Sequence, residues 1–338
     1  MKKILITGMN KLQVTEDFYK SQQLKVIPSH TSLIACLRDM GYDVIQRHVE
    51  IGENLSEFDK VIVFIHNPSG FAGYVYNALW AINQRPDCIM AFDDWQIDSI
   101  YSGITSLKDP EKLFRLYVKD GHKNIPADIE KYESEFLRAI ELIESKKNKM
   151  LISAFSDGDL SLLLDHPNLY QYNPNPYHIH RRANVLTNEK ERVFNFAGLV
   201  QDKTKKWLKE QKVEKTGWPL KKYGSRKDGQ DRVTEDVMVN LYAQQWGILM
   251  PGYFHCGSGW WRSRPQQSAD SGSILIGDYK EMFLLYNNHE AASVKASDLP
   301  DMSDSQLHDF AMLQRECLLK THPLDKAIQR AEILKVLL

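Results

Sequence analysis

The chain has 338 residues and a formal net charge of −1, and hydrophobic and charged residues make up 43% and 26% of it. This length allows two domains with sizeable cores. A charge so close to zero excludes a protein that binds nucleic acid through a strongly basic overall field. The four isolated cysteines exclude a CxxC metal site or a disulfide framework and are typical of a reducing cytoplasm. We expect neither a signal peptide nor a membrane-spanning segment.

Apolar runs alternate with amphipathic segments through the first half of the chain. We predict strands over 3–7, 42–45, 61–65, 88–92 and 150–154. The run at 61–65 has no polar alternation, which indicates a strand covered on both faces, as in a parallel sheet. Helical patterns separate these strands. Such an order of strands and helices predicts a doubly wound α/β domain.

Polar segments follow three of these strands, over 8–10, 66–70 and 93–98. Ligands of doubly wound sheets bind at the carboxyl ends of the strands, so we expect these segments to line a site. A carboxylate in a partly desolvated cleft can act as a general base, which makes Asp93 and Asp94 candidates. The alternative for either aspartate is a helix cap or a plain loop residue.

A second α/β pattern begins with a predicted strand over 193–198, which ends at Gly198. The helix predicted over 199–208 carries Lys203 and Lys205 near its start, and a glycine followed by a cationic helix start is typical of a phosphate-binding site. The run 203–227 contains ten Lys or Arg against two Glu. This run is either a solvated face or a surface that attracts a polyanion.

The stretch 258–278 predicts a loop, a short helix, a small-residue turn and a buried strand. Arg262 and Arg264 stand at the helix start, where guanidinium groups and free backbone N–H groups can bind an anion. Gln267 lies on the same helical face as Arg264 and can bond a ribose hydroxyl. The alternative is a surface helix with solvated arginines. Two helices, predicted over 303–319 and 323–338, end the chain, and the last has an apolar stripe that must pack on something.

With these residues in view, the chain resembles the bacteriophage DNA β-glucosyltransferases. The resemblance covers almost the whole length and depends on the order of motifs rather than on long identities. It implies the GT-B fold, in which two Rossmann-like domains face a central cleft. It also implies a DNA-binding acceptor domain at 1–170, a UDP-sugar domain at 171–320, and a helix at 321–338 that packs back on the first domain.

The resemblance assigns roles to individual residues. The family's catalytic base follows a Phe-x pair at a strand end, and Asp94 occupies that place after Phe92-Asp93. The family grips the diphosphate with two cations after a glycine. Gly198 is present, Lys205 matches the second cation, and Gln201 replaces the first.

Further matches concern the nucleoside. Val233 holds the position that bonds the uracil through its backbone. Arg264 matches a diphosphate ligand, with Lys203 and Arg262 as additional cations, and Gln267 replaces a ribose-binding glutamate. Thr31 stands where the family has a glutamate that binds sugar hydroxyls, which leaves the sugar open between glucose and a pentose such as arabinose.

The implied function is transfer of a sugar from UDP-glucose or UDP-arabinose to the hydroxymethyl group of 5-hydroxymethylcytosine or 5-hydroxymethyluracil in double-stranded phage DNA. The modification would protect the DNA from host nucleases in the cytoplasm of the infected cell. We expect a monomer. Cationic side chains at the diphosphate make a metal ion not strictly necessary.

Three alternatives remain open at this stage. A GT-B enzyme that acts on a small-molecule, lipid or protein acceptor would share all the donor-site features. A non-enzymatic nucleotide-binding or DNA-binding module would not need Asp94. A metal-dependent transferase of the other major fold, with Asp93 and Asp94 as ligands, fits less well because the donor motifs lie in the second half.

Overall fold

The architecture is given by a computed structural model. It describes residues 2–8, 33–34, 37–38, 40–65, 72–92, 97–113, 129–153, 165–172, 189–198, 202–224, 241–251, 263–321, 333–335 and 337–338. The described strands form two separate sheets, one from each half of the chain, and every strand pairing in both sheets is parallel.

The first sheet has six strands in the order β2-β1-β3-β4-β5-β6. They are β1 (Lys3–Thr7), β2 (Asp43–Gln46), β3 (Lys60–Phe64), β4 (Ile89–Phe92), β5 (Met150–Ser153) and β6 (Leu169–Tyr172). Its helices are α1 (Ala72–Gln84), α2 (Ile97–Thr105) and α3 (Glu133–Glu144), with 3-10 turns at Ser106–Lys108 and Ile129–Tyr132. The order of strands reverses direction beside β1, as in other doubly wound sheets.

Strand β3 shows why the apolar run around residue 62 lacks alternation. Val61 and Val63 belong to a core cluster that also contains Leu79 of α1. Ile62 and Phe64, which point to the other face, belong to a second cluster. Both faces of the sheet are therefore covered, and every position of the strand favours an apolar side chain.

The second sheet has four strands in the order β10-β9-β7-β8. They are β7 (Glu191–Gly198), β8 (Leu220–Gly224), β9 (Gln245–Met250) and β10 (Ile274–Gly277). Its helices are α4 (Asp202–Glu210), α5 (Ser263–Ser271), α6 (Tyr279–Tyr286), α7 (His289–Ala292) and α8 (Asp304–Thr321), with 3-10 turns at Val213–Lys215 and Ala296–Asp301. No helix within the described residues is long and apolar enough to cross a membrane.

The predicted α/β class is confirmed, and the strands predicted from apolar runs occur within two residues of their expected bounds. Strand β6 was not predicted, because it is a short edge strand in which Leu169 and Tyr170 are only half-buried. The polar loop predicted over 93–98 extends too far, because its last two residues belong to a helix. Asp98 lies in the first turn of α2, which begins at Ile97.

Gln314 of α8 covers the edge of β10 that pairs with no described strand. Its Oε1 accepts a hydrogen bond from the N–H of Leu275 at 2.9 Å, and its Nε2 donates to the carbonyl of Leu275 at 2.9 Å. The same Nε2 donates to the carbonyl of Ala291 at 3.0 Å. One side-chain amide thus takes the place of a neighbouring strand and leaves no backbone group of Leu275 unpaired.

The end of the chain packs against the first sheet, although the preceding helix α8 packs on the second. Leu334 and Leu337 are buried in the same cluster as Ile4 and Ile62. The amino group of Lys2 donates to the carbonyl of Leu338 at 3.0 Å. The chain therefore returns to the sheet in which it began.

Leu334→Ala tests this packing. We expect it to lower the free energy of unfolding by about 2–5 kcal/mol, because the truncation leaves a cavity in the core of the first sheet. Leu284→Ala is the control, since Leu284 is 53% exposed and its loss should change stability by less than about 0.5 kcal/mol. Urea denaturation measures both, and equal small losses would contradict burial of the chain end.

Candidate functional site

The candidate site begins at the carboxyl end of the second sheet. Strand β7 ends at Gly198, which is in register with Gly224, the last residue of β8. Strand β9 ends at Met250 and β10 at Gly277, and these two residues are also in register. Because all four strands are parallel, their carboxyl ends share one edge, the usual place for a ligand in such sheets.

Arg264, the second residue of α5, reaches across to the end of β7. Its Nη2 donates a hydrogen bond to the carbonyl of Ala197. Its guanidinium carbon lies 5.9 Å from the centre of the Phe196 ring. The carbonyl and the ring together hold the side chain at the sheet edge, where a long arginine would otherwise be free to rotate.

The other terminal nitrogen of Arg264 is the most informative atom of the site. Nη1 is buried, and no described residue accepts a hydrogen bond from it. A buried cationic N–H without an acceptor costs free energy, so native structures rarely retain one without a function. An oxygen-rich anion at this edge would supply the acceptor.

Gly198 makes room for this arrangement. Its φ of +143° lies in a region that side chains with a β-carbon rarely adopt. A β-carbon here would lie 3.4 Å from Nη2 of Arg264 and 3.5 Å from the Phe196 ring. The sequence marked this glycine as the end of a phosphate-binding strand, and its backbone angle favours glycine, whereas a β-carbon there would be in van der Waals contact with Arg264.

Helix α4 follows this glycine and carries the two lysines of the predicted site. Lys203 and Lys205 are exposed in its first two turns. Asp202, the first residue of the helix, lies 3.2 Å from the amino group of Lys205 in an exposed ion pair. An acidic residue at a helix start offsets the unfavourable placement of the lysines there.

Gln267 stands one helical turn after Arg264 and is buried, with only 4% of its surface exposed. Neighbouring serines fix the end of the same helix: Oγ of Ser268 donates to the carbonyl of Ser273 at 2.6 Å, and Oγ of Ser271 donates to the carbonyl of Ser268 at 3.1 Å. The small-residue segment of the sequence is therefore a tight, hydrogen-bonded helix end that sets the position of Arg264 and Gln267 over the sheet.

The carboxyl edge of the first sheet contains a second close approach. Gly8, directly after β1, has a φ of +78°, and a β-carbon there would lie 2.2 Å from the carbonyl oxygen of Phe64. The hydroxyl of the preceding Thr7 is buried and has no hydrogen-bond partner among the described residues. At the same edge, partial desolvation raises the pKa of Asp98 in the first turn of α2. Strand β4 ends at Phe92, two residues before Asp94.

The predicted site residues divide into two groups. The structure brings Gly198 and Arg264 into contact and places Gln267 on the same helix as Arg264. Lys203 and Lys205 lie on the helix that follows Gly198. Asp94, Val233 and Arg262 lie outside the described residues, as do Thr31 and Gln201. Sequence reasoning missed Phe196 and the carbonyl of Ala197, since an apolar side chain and a backbone oxygen leave no polar signal.

Other chemistries find less support in the described part of the chain. Burial raises the pKa of the Cys88 thiol to about 12, so this residue is not a nucleophile near neutral pH. Burial also raises the pKa of Cys317. No group of three or more His, Cys, Asp or Glu within the described ranges has the arrangement of a metal site.

The architecture was compared with known proteins. No family model matches the sequence, and no curated protein does. Three solved structures are similar to this chain, and each match covers 100% of this chain and 99% of the other. A T4 phage BGT mutant in complex with UDP-glucose has 14% sequence identity and a TM-score of 0.63, and T4 phage BGT with its UDP-glucose substrate has 13% identity and a TM-score of 0.62. A structure of the DNA modifying enzyme beta-glucosyltransferase has 13% identity and a TM-score of 0.57.

The protein has the GT-B fold. The resemblance that the sequence motifs indicated is thereby confirmed at the level of the fold. The edge that holds Gly198 and Arg264 belongs to the second sheet, in the second half of the chain.

Arg264→Leu tests whether Arg264 is present for stability or for a ligand. We expect the free energy of unfolding to change by less than about 1 kcal/mol, because the lost bond to Ala197 is offset by removal of a buried N–H without an acceptor. Thermal or urea unfolding of the ligand-free protein measures the change.

Arg192→Leu is the matched control. Arg192 bonds to the carbonyl of Met302 at 3.0 Å and to Asp304 at 2.8 Å, and lies over the ring of Trp218 at 5.7 Å. We expect Arg192→Leu to lower the free energy of unfolding by about 2 kcal/mol. A loss at Arg264 equal to or larger than that at Arg192 would mean that Arg264 serves the fold.

Proposed function

We propose that the protein is a GT-B glycosyltransferase that moves a sugar from a UDP-sugar to the hydroxymethyl group of a modified base in double-stranded DNA. The observation that carries this proposal is the buried Nη1 of Arg264, beside the glycine that ends β7, for which no described residue is an acceptor. A diphosphate would supply that acceptor. The fold supports the proposal because the similar T4 phage enzymes were solved with UDP-glucose.

The donor site combines three kinds of contact in this proposal. Arg264, with Arg262, Lys203 and Lys205, binds the diphosphate. Gln267 bonds a ribose hydroxyl, and the backbone of Val233 bonds the uracil. Cationic side chains that already surround the diphosphate stabilise the negative charge that develops on it as the sugar leaves.

The reaction is a single displacement. Asp94 accepts the proton of the acceptor hydroxyl as its oxygen forms a bond to the anomeric carbon. The bond between that carbon and the diphosphate oxygen breaks, and UDP leaves with the electron pair. The acceptor base must leave the duplex to reach this geometry, at a cost of about a few kcal/mol.

The organisation expected from sequence completes the proposal. Residues 1–170 form the acceptor domain, residues 171–320 bind the UDP-sugar, and residues 321–338 return to the first domain. Strand β6 of the first sheet ends at Tyr172, two residues beyond that boundary. The donor is UDP-glucose or UDP-arabinose, the base is 5-hydroxymethylcytosine or 5-hydroxymethyluracil, and the enzyme acts as a monomer in the cytoplasm of an infected cell, where the modification protects phage DNA from nucleases.

A pair of glycine variants tests the donor site. Gly198 and Gly217 both have positive φ values, +143° and +76°, but only Gly198 is close to Arg264, and nothing lies within 4 Å of a β-carbon at Gly217. Each alanine variant should lose about 1–3 kcal/mol of stability through backbone strain. Only Gly198→Ala should also weaken UDP binding, by about tenfold or more, because the strained backbone at residue 198 shifts the neighbouring carbonyl of Ala197 that holds Arg264. Calorimetric titration with UDP measures this, and equal affinities in the two variants would argue against the site.

The reaction itself is tested by UDP release. A panel of UDP-sugars is incubated with DNA that contains 5-hydroxymethylcytosine, 5-hydroxymethyluracil or neither. We expect release to require one modified DNA, and Asp94→Asn to abolish it while UDP still binds. Release with a small molecule and no dependence on DNA would favour the alternative acceptor class. Donor binding without any transfer would favour a non-enzymatic nucleotide-binding module.

A further inference from the structure

Helix α5 carries Arg264 near its start but has little apolar packing of its own. Of the α5 residues that the structure describes, Ala269 alone belongs to an apolar core cluster. Gln267, Ser268 and Ser271 are also buried, with at most 4% of their surfaces exposed. A helix with such a polar buried face depends on hydrogen bonds for its tilt over the sheet, because apolar contacts have no direction of their own.

The amino group of Lys190 holds the opposite end of this helix. Lys190 directly precedes β7 and therefore lies at the amino edge of the second sheet. Its Nζ donates to the carbonyl of Ser271, the last residue of α5, at 2.7 Å, and to Oγ of Ser273 at 3.2 Å. A third hydrogen bond of 2.8 Å reaches the carbonyl of Ala243, two residues before β9. A cation at the carboxyl end of a helix pairs with a terminal carbonyl and is stabilised by the helix dipole.

Serine hydroxyls join the same end of α5 to the sheet. Oγ of Ser273 donates to the carbonyl of Gln245, the first residue of β9, at 2.7 Å. Oγ of Ser268 donates to the carbonyl of Ser273 at 2.6 Å, and the N–H of Ser273 donates to the carbonyl of Ser268 at 3.1 Å. We call Lys190, Ser268, Ser271 and Ser273 the lysine–serine anchor. Because β7 and β9 are neighbours in the sheet, the anchor fixes the end of α5 against two strands at once.

We propose that Lys190 is a positioning residue for the donor diphosphate, because through α5 it sets the point at which Arg264 meets the phosphate oxygens. This inference rests on the proposed function. Lys190 itself lies at the amino edge of the sheet, whereas Arg264 reaches the carboxyl edge, seven residues before Ser271 and about 10 Å away along the helix. A change of tilt at the anchored end therefore moves the guanidinium group, and a displacement of about 1 Å at such a group can cost about 100-fold.

The test is UDP binding by Lys190→Met, which keeps an unbranched side chain but removes the charge and the three donated hydrogen bonds. We expect UDP affinity, measured by calorimetric titration, to fall by about tenfold or more, because α5 loses its fixed tilt. In transfer assays kcat should fall as well, since Arg264 is no longer held where negative charge develops on the leaving diphosphate. KM for DNA should stay unchanged.

Arg192→Met is the matched control. Arg192 lies two residues further along the chain, donates to the carbonyl of Met302 at 3.0 Å, and lies over a tryptophan ring at 5.7 Å, as Lys190 lies over another at 5.6 Å. It holds the end of the 3-10 turn at Ala296–Asp301 instead of the end of α5. Both variants should lower the urea midpoint of unfolding, and only Lys190→Met should weaken UDP binding.

A double-mutant cycle with Arg264→Leu shows whether Lys190 acts through Arg264. If it does, Lys190→Met should reduce UDP affinity by less than about threefold in the Arg264→Leu background, since no guanidinium group is left to misplace. Full losses from both substitutions together would mean that Lys190 serves the fold in general, and would overturn the inference. If Lys190→Met does not fold, Ser273→Ala takes its place, because it removes one of the three acceptors of Lys190 and leaves two. We then expect a loss of about threefold in the native background and none in the Arg264→Leu background.

The outcomes separate this inference from the proposed function. If the native protein binds UDP and glycosylates DNA, and Lys190→Met and Arg192→Met bind UDP equally well, the inference fails although the proposed function stands. If the native protein binds no UDP, both fail. A loss that occurs only in Lys190→Met and disappears in the Arg264→Leu background supports both.

Discussion

The site depends on the way Arg264 is held against the end of β7. Its guanidinium group is bonded to the carbonyl of Ala197, lies over the ring of Phe196, and passes within 3.4 Å of where a β-carbon at Gly198 would stand. These three neighbours hold Nη2, and Nη1 has no acceptor among the described residues. In the proposed function this arrangement is preformed for the diphosphate, because the cost of desolvating the guanidinium is met during folding rather than during binding.

The sheet edge at Gly198 combines two parts of the chain that are distant in sequence. Strand β7 supplies the glycine and the carbonyl, whereas α5 supplies the arginine some 66 residues later in the sequence. The hydrogen bond from Ser268 of α5 to the carbonyl of Ser273 fixes the end of that helix beside β10. The amide of Gln314 in α8 in turn bonds Leu275 of β10. A long arginine needs such support, since its flexible side chain otherwise loses much conformational entropy on binding.

The two halves of the chain are linked by the path of the backbone and differ in charge. The chain begins in the first sheet, builds the second, and ends with Leu334 and Leu337 in the core of the first. Residues 1–172 carry a net charge of −5 and residues 202–224 a net charge of +5, so the half of the chain that holds Arg264 also contains its basic segment.

The sequence by itself determined the α/β class, the parallel character of the strands and the identity of Gly198, Arg264 and Gln267 as candidates, because local hydrophobic patterns and polar residues at strand ends carry that information. It also indicated the resemblance that the GT-B fold bears out. The tertiary structure alone decided the contact of Arg264 with Ala197 and Phe196, the position of Asp98 in a helix, and the lack of an acceptor for Nη1 among the described residues. Contacts between residues far apart in sequence depend on how layers pack, and backbone carbonyls and apolar rings give no signal in a sequence until packing brings them beside a charge.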